Sequence, residues 1–154
     1  MIGRVALLGL LCSLLSGAVH AVTLGEAKDT YLKGNYQEAL SAFRKIAGEG
    51  VPEAQYLLAF MIDNGRGIEA DPVTATKLYR QAAAGGNPEA QFELGIRYRD
   101  GTGGVKVSLV KAEMLLFEAS LQGLVKAQDA LALLSLSATP SSQEKSASSG
   151  DPMT

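Results

Sequence analysis

The chain has 154 residues, with 14 Lys and Arg against 16 Asp and Glu, one Cys, one His and no Trp. The first 21 residues read as a removable leader, which leaves 133 residues with 13 basic and 16 acidic side chains, a mild net −3, and neither Cys12 nor His20. That balance offers no basic footprint for nucleic acid, and it excludes disulfides, thiol nucleophiles and any site built on His or Cys ligands.

The leader opens with Arg4 as its single positive charge, continues as an apolar stretch from Val5 to Leu15, and reaches small residues at Ser16, Gly17 and Ala18. This is the order of a secretory signal, and Val19-His20-Ala21 places the expected cleavage after Ala21. The apolar core is shorter than the ~20 residues needed to cross a bilayer, so no stable membrane span is expected after processing. Cys12 follows Leu10-Leu11, and Leu11 is too large for the residue before a lipidated cysteine. The expected location is the periplasm or the exterior of a bacterial cell.

The next feature is a repeat. Pro52-Glu53-Ala54-Gln55-Tyr56 recurs as Pro88-Glu89-Ala90-Gln91-Phe92, 36 residues later, and the same offset relates Ala39 to Ala75, Phe43 to Tyr79 and Ala47 to Ala83. With one residue inserted in a loop, the offset of 37 carries Ala75 to Ala112, Gly86 to Gly123, Ala90 to Ala127 and Leu94 to Leu131. A fixed period of this length marks stacked helical hairpins, each too small to bury its apolar stripe alone.

In chain order, residues 22–50 form an opening hairpin with a short turn at Lys33-Gly34-Asn35. Residues 51–86 and 87–123 form two full repeats. Pro52 and Pro88 open their first helices at a position that tolerates the missing N–H, with Asn87 as a cap. The stripes Ala54, Leu58, Ala59, Ile62 and Ala90, Leu94, Gly95, Tyr98 recur at helical spacing and face neighbouring helices. Asn64-Gly65-Arg66-Gly67 ends one helix, Asp71 caps the helix over 72–84, and Gly85-Gly86 stops it. In the second full repeat Ser108 takes the capping place of Asp71. The helix over 112–120 contains Met114-Leu115-Leu116-Phe117, apolar enough that the closing helix over 124–137 is expected to cover it. The alternative leaves part of it exposed. From 138 to 154 the composition turns to Ser, Ala, Thr and Pro without apolar periodicity, which reads as a disordered tail.

The run Ala54-Gln55-Tyr56-Leu57-Leu58-Ala59, Asn64-Gly65-Arg66-Gly67, Leu78-Tyr79-Arg80-Gln81-Ala82-Ala83 and Gly85-Gly86-Asn87 resembles the Sel-1-like repeat (SLR) family. The opening hairpin is similar to the related tetratricopeptide repeat. The resemblance implies an all-α, right-handed helical-hairpin solenoid of about seven helices, and a protein that binds a segment of another protein.

Residues 101–108 superficially suggest a phosphate loop. They follow a helix instead of a strand, and Val105 separates Gly104 from Lys106, so the repeat loop explains them. The acid–base equipment left is paired carboxylates, Glu89 with Glu93 or Glu69 with Asp71. Glu93 has Arg97 as a helical neighbour and Asp71 is a cap, so neither pair specifies a catalytic cleft.

Of the aromatics, Tyr36, Phe43, Tyr79 and Tyr98 are expected in the core. Tyr56 and Phe60 lie four apart and off the stripe, and Phe92 repeats the first of them; they either pack on the adjacent hairpin or line a groove. The polar residues set by the same period are Gln55, Asp63, Gln91, Glu93, Arg97 and Arg99. A partner-binding face is expected to combine these nine residues, with no cofactor and no metal. The function expected is a non-catalytic adaptor or scaffold in the cell envelope. The alternative is an accessory protein or hydrolase acting on peptidoglycan or another envelope carbohydrate.

Overall fold

Proline, small residues and left-handed glycines punctuate the chain into helices, and the computed structural model describes residues 22–138, with side chains through 136. Seven helices follow one another: α1 (Leu24–Leu32), α2 (Tyr36–Gly48), α3 (Pro52–Asp63), α4 (Pro72–Ala84), α5 (Pro88–Asp100), α6 (Leu109–Leu121) and α7 (Val125–Ala138). Among the described residues there is no strand. The leader, its cleavage site and the Ser-rich tail from residue 139 lie outside the described residues. No helix among the described residues is long and apolar enough to cross a membrane.

The caps follow the local sequence. Thr23 and Glu26 form a reciprocal capping box on α1. The Asp71 carboxylate accepts the amides of Val73 and Thr74 at the start of α4, and Asn87 accepts that of Ala90 on α5. Each satisfies an amide that has no partner within the helix. Ser108 departs from expectation. It occupies the N-cap position of α6, but its side chain makes no capping bond. The longer loop ties it down through the backbone instead, its amide donating to the Tyr98 carbonyl at 2.7 Å.

The substantial helix contacts run between consecutive helices, α1 with α2 through α6 with α7. This is the quasi-one-dimensional packing of a solenoid. Alanines recur where helices cross: Ala39, Ala75 and Ala112 on the second helices, Ala54, Ala90 and Ala127 on the first, all fully buried. Their small side chains let helix axes approach, and large side chains fill the space between crossings. Phe43, Met61, Tyr79 and Leu116 are the largest fully buried ones. Each stabilises the fold by about 1.5–3 kcal/mol relative to exposure. One core runs from Ala27 to Leu94, and a second joins Leu116, Ala119, Ala127 and Ala130.

Two expectations about the core need correction. Phe43 and Tyr79 are buried, but Tyr36 and Tyr98 are half-buried. Cationic side chains lie over both rings, Arg66 over Tyr36 and Lys111 over Tyr98, which gives half-exposed aromatic surface a favourable neighbour. The apolar run of α6 is also only partly covered. Leu116 is fully buried against α7, while Met114 and Phe117 remain 55% and 54% exposed. A single closing helix covers one side of α6, and the other side keeps the outward position that Lys77 and Arg80 occupy on α4.

Candidate functional site

The first helices of successive hairpins, α1, α3 and α5, align their off-stripe residues, and the sequence places aromatics there. Tyr56 and Phe60, one turn apart on α3, have ring centroids 6.5 Å apart, and Tyr56 also meets the buried Tyr79 at 5.9 Å. With Tyr31, Phe43, Leu57 and Met61 they line an apolar notch of about 120 Å³. Beside it, Arg66 lies over the rings of Tyr31 and Tyr36 and donates to the Tyr36 hydroxyl at 2.9 Å.

Acidic groups on α5 act on Tyr56, one of the residues that line the notch. Burial raises the pKa of the Tyr56 phenol above 10.0, and the nearby Glu93 and Glu89 carboxylates raise it further. Glu93 is shared between two cations, Arg97 and Lys126, each at 3.6 Å. Lys126 also sits over the Phe92 ring at 4.2 Å, which ties α7 to this face. Lys28 pairs with Glu53, joining α1 to α3.

The nine residues expected to form a partner face thus divide. Tyr56, Phe60, Phe92 and Glu93 are half-buried and belong to this face. Gln55 is half-buried too, but its amide donates to the Ala47 carbonyl at the end of α2. Gln91 is buried and repeats that role, donating to the Ala83 carbonyl and to Glu118 while accepting from Gln122. Arg97 is 7% exposed and is built into the fold. It reaches Asp63 at 2.5 Å and Thr76 at 3.1 Å, with its guanidinium 4.6 Å over the Tyr79 ring. Asp63 is thereby committed to Arg97. Arg99 makes two bonds to the adjacent Asp100, and their mutual bonding raises the pKa of Arg99 and lowers that of Asp100.

Gln91, Arg97 and Asp63 are therefore inter-repeat fasteners rather than exposed anchors. The sequence held a signal for the glutamines. They recur at one place in each repeat, eight residues after an alanine that ends a second helix. The residues that sequence reasoning missed at the notch are Tyr31 and Arg66. Tyr31 comes from the short opening hairpin and Arg66 from a loop, so neither falls on the 36-residue period.

Consecutive helical hairpins with this first-helix face define an all-α helical-repeat solenoid, a class whose stacked repeats create extended binding surfaces. Within it, the chain carries two Sel1 repeats, the family's model matching residues 52–87 and 88–124. The solved Sel1 repeat protein from Oxalobacter formigenes is similar over 75% of this chain and 47% of its own, at 28% identity and a TM-score of 0.69. A protective antigen present in uropathogenic Escherichia coli strains, displaying an SLR fold, is similar over 76% of this chain and 26% of its own, at 26% identity and a TM-score of 0.69. The chain thus spans about half the length of the first and a quarter of the second. No curated protein matches it. Sel1 repeats generally act as protein–protein interaction scaffolds and are typically non-catalytic.

Proposed function

We propose that this chain is an exported, non-catalytic scaffold of the bacterial cell envelope whose first-helix face holds a segment of another protein. The observation that supports this is the notch between Tyr31, Tyr56 and Phe60, with Glu89 and Glu93 acting on Tyr56. Its volume of about 120 Å³ suits one apolar side chain. Of the two carboxylates, Glu93 is already shared by Arg97 and Lys126, so Glu89 is the one that favours a Lys or Arg in the same segment. Because the helices are already fixed by inter-repeat bonds, ordering costs on this side of the complex are small, and a few anchors suffice for affinity. The leader sequence supports export.

The test is photo-crosslinking in intact cells from residues substituted at Phe60 and Phe92, compared with Lys77 and Arg80 on the second-helix side. The expected result is one shared partner from Phe60 and Phe92, lost when Tyr56→Ala is added, and none from Lys77 or Arg80. Equal capture from both sides would overturn the reading. N-terminal sequencing of the protein from the envelope fraction should begin at Val22; a chain beginning at Met1 in the cytoplasmic fraction would sink the export assignment.

A further inference from the structure

The repeat shows what normally lies over the start of a second helix. On α2, Gly67 of the following loop sits against the Tyr36 backbone, and Gln37 donates to the Gly67 carbonyl at 2.6 Å. On α4, Gly103 and Gly104 of the next loop sit over Thr76 and Val73, and Arg97 donates to Thr76. The corresponding residues of α6, 37 positions on, are Val110 and Glu113. There the surface is open: Val110, Glu113, Met114 and Phe117, with Leu131 of α7 as the far wall, surround a groove of about 440 Å³. By the same register α7 is a first helix, and among the described residues it has no second helix beside it.

The exposed side of α6 is one stripe. Val110, Met114, Phe117 and Leu121 fall at helical spacing and are 78%, 55%, 54% and 71% exposed. Counting a large side chain as roughly 150–250 Å², the four present on the order of 500 Å² of apolar surface, at the top of the range for a monomer's largest patch. A standard interface takes about 800 Å² from each partner, and in homodimers about two thirds of it is apolar. The stripe therefore supplies the apolar share that a stable symmetric dimer needs.

We infer that this end of the solenoid binds a second copy of the same chain. The two copies are related by a twofold axis near the middle of the stripe, between Met114 and Phe117, and each copy's Phe117 enters the other's groove beside Val110 and Leu131. Such an isologous contact closes on itself and leaves the first-helix notch free on both copies. It does not depend on the partner proposed for that notch.

Sedimentation equilibrium of the protein as it accumulates in its cell, at tens of micromolar, should give twice the chain mass. Met114→Glu with Phe117→Glu should weaken self-association at least about a hundredfold. Both side chains are more than half exposed, so the helical content of the monomer should be kept, and melting should fall only to the value the wild type shows on dilution. Leu32→Glu, on the exposed side of α1, should leave the dimer intact. As a second measurement that keeps the wild-type stripe nearly whole, Phe117→Cys should form an intermolecular disulfide under mild oxidation. A monomeric wild type overturns the inference, and if removing residues 139–154 then yields a dimer, the chain's own tail is the occupant. A dimer that survives the paired Glu substitutions overturns it as well, since the contact would then lie elsewhere.

Discussion

Position 97 shows how one residue type can change its employment between repeats. Its counterpart 36 residues earlier is Met61, and the counterpart of Thr76 is Leu40; both are buried, at 1% and 3% exposure. Where the junction between the opening hairpin and the first full repeat uses an apolar pair, the junction between the two full repeats uses a cation and a hydroxyl, and Asp63 supplies the countercharge. Replacing Arg97 by Met alone leaves the Asp63 carboxylate, only 22% exposed, without its partner. We expect a loss of about 2–3 kcal/mol, in the range for breaking a partly buried pair. Adding Thr76→Leu recreates the Met61 and Leu40 combination, so the double variant should be at least about 1 kcal/mol more stable than the two single losses added together. Urea denaturation of the four proteins of this cycle measures it; strict additivity would mean that the two positions do not act as a unit. The adjoining Tyr79 gives a pH test. Burial raises its phenol pKa far above the ordinary 10.0, and Asp63 and Glu93 add to the shift. The folded chain then holds that proton more tightly than the unfolded chain. The stabilisation is complete below pH 10 and is lost as pH rises beyond it. Tyr79→Phe should leave stability at pH 7 within about 1 kcal/mol and move the alkaline unfolding midpoint upward. An unchanged alkaline midpoint in thermal melts would show that another group governs that limb.

Among the elements, the inter-helix loops do more than connect. Gly103 has φ of 62°, and a Cβ there would lie 2.2 Å from the Thr76 hydroxyl oxygen and 3.0 Å from the Arg97 Nε. Gly34 also has positive φ, at 83°, but nothing lies within 4 Å of its Cβ position. The pair separates backbone strain from seating. Gly34→Ala should cost about 1 kcal/mol through backbone strain alone. Gly103→Ala should cost about 2–3 kcal/mol, because it also displaces the Thr76 to Arg97 bond. Equal losses in chemical denaturation would mean that the loop is not seated on α4. These loops also mark how far sequence reading reaches. The helices and their stripes were legible because alanines at crossing points must stay small in each repeat, and a fixed constraint leaves a fixed period. The burial of Arg97 was not legible, because a charged residue reads as surface even where its counterpart 36 residues earlier, Met61, is apolar and buried. The exposure of Met114 and Phe117 was not legible either, since an apolar run has the same composition whether a neighbour covers it or not. The notch depended on Tyr31 and Arg66, which lie outside the repeating register.

For the whole molecule, contacts between consecutive helices mean that stability is approximately a sum over neighbours, and the two ends should open first. The middle helices α3, α4 and α5 have packed neighbours on both sides and share the larger core. α1 has a neighbour on one side and buries only Ala27. α7 is held by Leu116, Ala119 and the Lys126 contacts to Glu93 and Phe92. Amide hydrogen exchange read by mass spectrometry should therefore show the strongest protection across α3 to α5, and weaker protection in α1. At α6 and α7 the pattern should depend on protein concentration. If a second copy covers the Val110 to Leu121 stripe, dilution removes that cover and exchange there accelerates, while α3 to α5 stay unchanged. A chain whose ends are free in solution would instead exchange at the same rate at every concentration, with α7 opening as readily as α1. The experiment thus distinguishes an end stabilised by its own two contacts from an end completed by another molecule. It does so in the unmodified protein, where no substitution can be blamed for the result.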